Sequence, residues 1–180
     1  NVPVREGYTW SDGSPITAND WEFTFDTVKS LSLGGNFLSS YPYSCEDEEG
    51  TAKNCVVSVV ASDDYTVSIT FNYDPGLSTW QYGTAQGIAF SKAYWEQYAT
   101  EKETLYAHDA TNAPVASAFV YDKLEQGAFY TWKYDANTMW YGGTTTISDG
   151  GGTSVDWDNG KAPAFSADFG NTTGDSFSYE

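Results

Sequence analysis

From Tyr65 to Phe71 the chain alternates without a break: Tyr65, Val67, Ile69 and Phe71 on one side of an extended backbone, Thr66, Ser68 and Thr70 on the other. A repeat of two does not fit a helix, so this run predicts a β-strand with one buried face. The apolar run Val56–Val60 precedes it across Ser62-Asp63-Asp64, and two such runs joined by a short turn predict an antiparallel hairpin. The pattern returns further on. Phe119 and Tyr121 alternate on one arm, Glu125-Gln126-Gly127 makes a turn, and Ala128, Tyr130, Trp132 and Tyr134 alternate with Phe129, Thr131 and Lys133 on the other. Gly127 suits a turn position that needs positive φ.

Helical signal surrounds these hairpins. Thr17 is an N-cap residue with Asp20 three positions on, and Trp21, Phe25 and Val28 follow at i, i+4 and i+7, which predicts an amphipathic helix from Ala18 to Leu31, ended by Gly34-Gly35. Asp74-Pro75 starts a short helix through Trp80 and Tyr82, Gly87–Phe90 reads as a short strand, and Ser91 caps a helix carrying Tyr94, Trp95 and Tyr98. The stretches Asn36–Asn54 and Thr100–Pro114 read as loops. From Gly142 onward Gly, Ser, Thr and Asp dominate, and 144–160 is expected as a long flexible loop, or as part of a region whose partner segment has been cut away. Helices mixed with antiparallel hairpins place the chain in the α+β (mixed α/β) class, as a single domain over residues 1–180.

Composition narrows the function. Twenty-five acidic residues against 8 basic ones give a formal net charge of −17 over 180 residues, a field that repels nucleic acid and anionic membranes. Aromatics at 17% and hydrophobics at 40% are too rich for a disordered acidic chain. No run approaches the roughly 20 apolar residues of a membrane helix. Cys45 and Cys55 bracket a short acidic loop that a disulfide closes, which favours an extracytoplasmic address; the rival reading, half a metal site, lacks a second cysteine pair, so no metal is expected.

The chemistry of hydrolysis is missing from the pattern. His108 is the one histidine, set in a polar loop, and no Gly-x-Ser-x-Gly elbow presents a serine. Asp63-Asp64 and Glu46–Glu49 read as turn and solvent-facing carboxylates, and Asp149, Asp156 and Asp158 lack the spacing and terminal Glu of a calcium loop. No phosphate-cradling glycine motif occurs, and Asn171-Thr172-Thr173 is only a glycosylation-type match. What remains distinctive is the abundance of aromatic rings, which suit ligand sites because they offer large rigid surfaces with a polar tip. Trp21, Phe25, Tyr65, Phe71, Trp132 and Trp140 are expected in the core. Tyr41, Tyr43, Trp80 and Tyr82 fall at loop or short-helix positions that packing explains less readily.

The opening Val4-Arg5-Glu6-Gly7, Trp10-Ser11-Asp12-Gly13, Pro15, Thr17-Ala18 and Asp20, followed by an aromatic helix, resembles the signature stretch of the family 5 extracellular solute-binding proteins of ABC transporters, the oligopeptide- and dipeptide-binding type. Asp63-Asp64-Tyr65-Thr66-Val67, then Ser91-Lys92-Ala93-Tyr94-Trp95-Glu96, then Asn137 with Trp140-Tyr141-Gly142 follow in the family's order, so that the resemblance covers residues 4 to 143. It departs at Val115-Ala116-Ser117-Ala118-Phe119, where the family commonly carries a Gly-x-Gly-Pro-aromatic segment.

The resemblance implies part of a periplasmic-binding-protein-like type II fold, an excised piece of the N-terminal lobe of a longer two-lobe protein. Asp12-Gly13 and Pro15 would shape the turn feeding the helix, Asp63-Asp64 the hairpin turn, and 137–142 the closure of the lobe. It further implies a binding protein and not an enzyme, without cofactor, that captures a peptide or related small solute by closure of two lobes and delivers it to the permease subunits of an importer, as a monomer. The place implied is extracellular or periplasmic, anchored to the outer face of the cytoplasmic membrane. Tyr41, Tyr43 and Trp80 are the expected ligand contacts, because they fall in the loop and short helix that would approach the cleft. Two rival classes predict other features: a carbohydrate-binding module a flat row of exposed Trp and Tyr, a hydrolase fragment two carboxylates converging in a cleft.

Overall fold

In the computed structural model, which describes residues 1–77, 80, 83–84, 87–117, 119–125, 127–134, 144–148 and 154–158, the alternating run forms β3 (Thr66–Phe71) and pairs antiparallel with β2 (Val56–Asp63). The short β1 (Val2–Pro3) pairs with the other side of β3, giving the order β1-β3-β2. The chain reverses at Asp64 and Tyr65, one step later than expected, and Asp63 Oδ1 accepts the Tyr65 N–H at 2.9 Å.

The predicted amphipathic helix is α1 (Ala18–Ser30), opened by a capping box in which Asp20 Oδ2 accepts the Thr17 N–H at 2.9 Å. Its end is made earlier than Gly34-Gly35. Ser32 takes φ +51°, the Leu33 N–H reaches Val28 O at 2.9 Å and the Ser32 N–H reaches Lys29 O at 3.3 Å, a Schellman closure with a serine in the left-handed position. The buried pair Val28 and Leu33 supplies the apolar contact that usually accompanies this closure.

Two core clusters lie around α1. Ala18 and Phe25 pack with Tyr41, Val56, Val59 and Val67, with Trp21 and Phe71 at the margin. Val28 packs with Leu33 and Leu105, flanked by Phe37, Phe90 and Trp95. Burying each such Val, Leu or Phe contributes about 1.5–3 kcal/mol. Of the residues expected in the core, Phe25 is buried, Trp21, Tyr65 and Phe71 are half-buried, and Trp140 lies outside the described residues. Trp132 is 51% exposed, which corrects its assignment to the core.

Several loops turn out to be short helices. α2 (Asn36–Ser40) falls inside the expected loop 36–54, held by the edge-on contact of Phe37 with Phe90 at 5.2 Å. Gly87–Phe90 is extended but pairs with no strand among the described residues, since the Phe90 N–H goes to the Thr24 side chain. α3 (Lys92–Trp95) stops before Tyr98. α4 (Lys102–Ala107) and a 3-10 turn at Ala110–Asn112 occupy the expected loop 100–114; one buried residue, Leu105, anchors α4, too little to register as a period.

The chain divides into two compact units between Pro114 and Val115. In the second, β4 (Phe119–Glu125) pairs antiparallel with β5 (Phe129–Tyr134), as the alternation predicts. Where 144–160 was expected as a loop, β6 (Thr144–Ser148) pairs in regular register with β7 (Ser154–Asp158). The β-branched Thr144-Thr145-Thr146-Ile147 and Val155 favour strands, and the intervening Asp149-Gly150-Gly151-Gly152 is turn-forming composition.

Candidate functional site

The opening motif is a lock built around one carboxylate. Asp12 Oδ1 accepts the Ser14 N–H at 2.9 Å and its hydroxyl at 2.6 Å, and Gly13, at φ +86°, donates to Trp10 O at 2.9 Å. This turn brings the Trp10 indole inward, 6% exposed, to donate to Asp20 Oδ2 at 3.3 Å. Asp20 is itself 4% exposed, and its Oδ1 accepts the Lys92 N–H at 2.8 Å. One buried carboxylate therefore joins the 9–15 turn, the start of α1 and the start of α3.

Thr24, one turn along α1, extends the lock. Its hydroxyl donates to Asp20 O at 2.6 Å and accepts the Phe90 N–H at 2.7 Å. Residues 87–92 are thus strapped onto α1 by side chains that replace the partner strand an extended segment otherwise needs. The resemblance implies a turn-shaping role for Asp12-Gly13 and Pro15. The bonds from Asp20 and Thr24 to positions 92 and 90 had no signal in the chain, because their separations carry no period.

The strap decides where the aromatic candidates go. Tyr41 is fully buried, edge-on to Phe25 at 6.0 Å, with its hydroxyl 3.4 Å from Ile88 O. Burial pushes its phenol up to about 12. Gly87 lies directly over that hydroxyl: a Cβ there would be 2.5 Å from Tyr41 Oη and 2.9 Å from Thr84 O. Tyr43 is half-buried and donates to Leu33 O at 3.3 Å, while Trp80 is half-buried. Tyr41 and Tyr43 are turned to the core, Tyr41 as a member of the first cluster and Tyr43 packed against both.

Two further groups are assembled nearby. His108, read as a polar-loop residue, caps α4 and stacks on Tyr98 at 3.6 Å and 19°, with Tyr94 Oη 2.9 Å from its Nε2 and Trp95 edge-on at 5.4 Å. Burial, then Tyr98 and Asp109, raise the Tyr94 phenol, whereas the Thr111 N–H holds the Asp109 carboxyl down. The disulfide Cys45–Cys55, with Cα atoms 5.1 Å apart, closes a small hairpin in which Asp47 Oδ1 accepts the Thr51 N–H at 2.7 Å and the Glu49 N–H at 3.1 Å. Those bonds, that of Thr51 first, lower the Asp47 carboxyl.

On β4 and β5, the register places Phe119, Tyr121, Leu124, Tyr130 and Trp132 on one face. Tyr121 and Trp132 meet edge-on at 5.6 Å, and Phe119, Leu124, Tyr130 and Trp132 are 49%, 59%, 66% and 51% exposed. Among the described residues no helix is long and apolar enough to cross a membrane.

The model of the bacterial extracellular solute-binding proteins of family 5, middle region, matches residues 2–162. Among solved structures, the ABC transporter substrate-binding protein CtaP of Listeria monocytogenes is similar to this chain, with a TM-score of 0.51 at 19% identity. The likeness covers 76% of this chain and 25% of CtaP, so the chain spans about a quarter of that protein's length, and at this identity it is a likeness of fold. No curated protein matches the chain.

Proposed function

The chain belongs to the bacterial extracellular solute-binding proteins of family 5, and on that premise we propose that it is part of one lobe, the N-terminal one, of the solute-capturing component of an ABC importer. The observation that carries the reading is the match over residues 2–162, with the Trp10–Asp20 lock folded at its head. The solute is a peptide or a related small molecule, held between two lobes that close on it. Ligand stabilises the closed state by the free energy it gains there and not in the open one. The permease then receives the solute outside the cytoplasmic membrane, from a monomer anchored to that membrane's outer face.

Within this lobe Trp80 is the proposed contact surface, since its ring is half-buried and an indole offers a broad apolar face with one polar tip. Tyr43 is the second proposed contact, and Tyr41, enclosed by Gly87 and Ile88, supports the strap from within. The test is a thermal-shift screen of this chain and of the full-length gene product against peptides of about two to eight residues, oligosaccharides and nickel. A ligand at about a hundred times its Kd raises stability by roughly 2.7 kcal/mol. Peptides that shift only a two-lobe protein support the reading; no shift by any peptide in that protein removes it.

A second reading has one observation behind it. The aromatic face of the β4–β5 hairpin is the exposed row that a carbohydrate-binding module presents, and sugar rings stack on such faces. Oligosaccharides that shift this chain alone would favour it.

A further inference from the structure

Among the described residues β2 is an edge strand, since β3 lies on one side of it and no strand on the other. An eight-residue edge carrying Val57 and Val60 at 42% and 43% exposure is a template for another strand. Register shifts between Val56 and Ser58 and between Ala61 and Asp63 bend its two ends, which leaves Ser58–Ala61 as the regular stretch. In that stretch Ala61 stands opposite Val67, but its N–H donates to Glu22 Oε2 at 2.9 Å. That N–H faces the open side, and a side chain from α1 has taken it.

Glu22 holds this position at a cost to its own helix. Asp26 follows it one turn later, like charges at i and i+4 repel, and the Asp26 carboxyl is raised by burial first and by Glu22 second, against the pull of Lys29. An apolar residue at 22 would spare α1 that repulsion and would leave the edge open.

We infer that Glu22 closes the open edge of the sheet, and that the partner it turns away is a second copy of this chain approaching β2 strand to strand. Antiparallel pairing of two β2 edges needs the Ala61 N–H of each copy and brings both Glu22 carboxylates to one seam, where like charges out of water repel strongly. The guard acts through occupancy of the N–H and through charge. It does not depend on what the lobe binds.

Sedimentation velocity over a concentration series reads it directly, on this chain and on E22A and E22Q, with far-UV circular dichroism to report folding. Self-association should tighten by at least about tenfold in E22A, which frees the N–H and removes the charge, and by less in E22Q, which keeps an acceptor oxygen. A folded E22A that stays as monomeric as the parent overturns the inference. Should E22A fail to fold, E22Q decides: self-association above the parent supports the guard, and none overturns it.

Discussion

The β2–β3 and β4–β5 hairpins share an alternating pattern, and they end in opposite environments. On the first, α1 lies over the apolar face and leaves Val59 and Val67 each 2% exposed. On the second, the matching face carries Tyr130 at 66% and Trp132 at 51%. The difference teaches that alternation specifies which side of a strand is apolar and is silent about what covers it. The cover on β2–β3 exists because a capped helix with its own apolar stripe precedes it and is tied down by Asp20.

The contrast is broken most directly by deleting one aromatic ring from the covered side. Phe25→Ala should cost about 3–5 kcal/mol, read as a lower urea midpoint, because the ring is 2% exposed and its site cannot fully collapse. A cost under about 1 kcal/mol would mean that the sheet is not held by that helix.

Asp20→Asn comes next, at about 2–4 kcal/mol, since an amide nitrogen would face one of the N–H donors now bonded to the carboxylate from Trp10, Thr17 and Lys92. Hydrogen exchange should then speed at the Lys92 amide well before it does in β3. Equal loss of protection everywhere would reduce Asp20 to a helix cap.

Tyr41 sharpens the comparison through pH. An exposed phenol ionises near pH 10, whereas burial holds Tyr41 up at about 12. Below about pH 10 both folded and unfolded chains keep the proton, and its burial has no pH signature. Between those values the unfolded chain releases it first, so stability falls as pH rises, by about 1.4 kcal/mol per unit and about 2–3 kcal/mol in all. Urea midpoints taken from about pH 9 to about pH 12 should lose that extra slope in Tyr41→Phe. A variant with the slope of the parent would place the phenol in water.

The smallest effect is expected on the uncovered side. Trp132→Ala should change stability by no more than about 0.5 kcal/mol, because its ring is half in solvent and meets Tyr121 only edge-on. A loss comparable to that of Phe25→Ala would show that this face is covered in solution.

What could be read from the chain follows from the range of the forces involved. The strands at 56–60, 65–71 and 119–134 and the helix at Ala18 were legible because side-chain period and capping are local. The short helices α2 and α4 were not, since each is fixed by one or two distant contacts, Phe37 on Phe90 and Leu105 against Val28 and Leu33. Tyr41 and Tyr43 read as loop aromatics, yet loop residues are buried whenever a distant segment folds over them, as 87–90 does over Tyr41.

By itself, then, the sequence determined the α+β class, the two hairpins, the capped helix and the family signature from Trp10 to Asp20, all of which rest on residues within a few positions of one another. Only the tertiary structure decided that Asp20 and Thr24 bind the backbone of Lys92 and Phe90, that Gly87 closes over Tyr41, and that Glu22 occupies the edge of β2. Those contacts span from 39 to 72 residues where a bond is formed. A hydrogen bond at that separation leaves no periodic trace in the chain, because its geometry is set by how the layers pack and not by the spacing of the residues that make it.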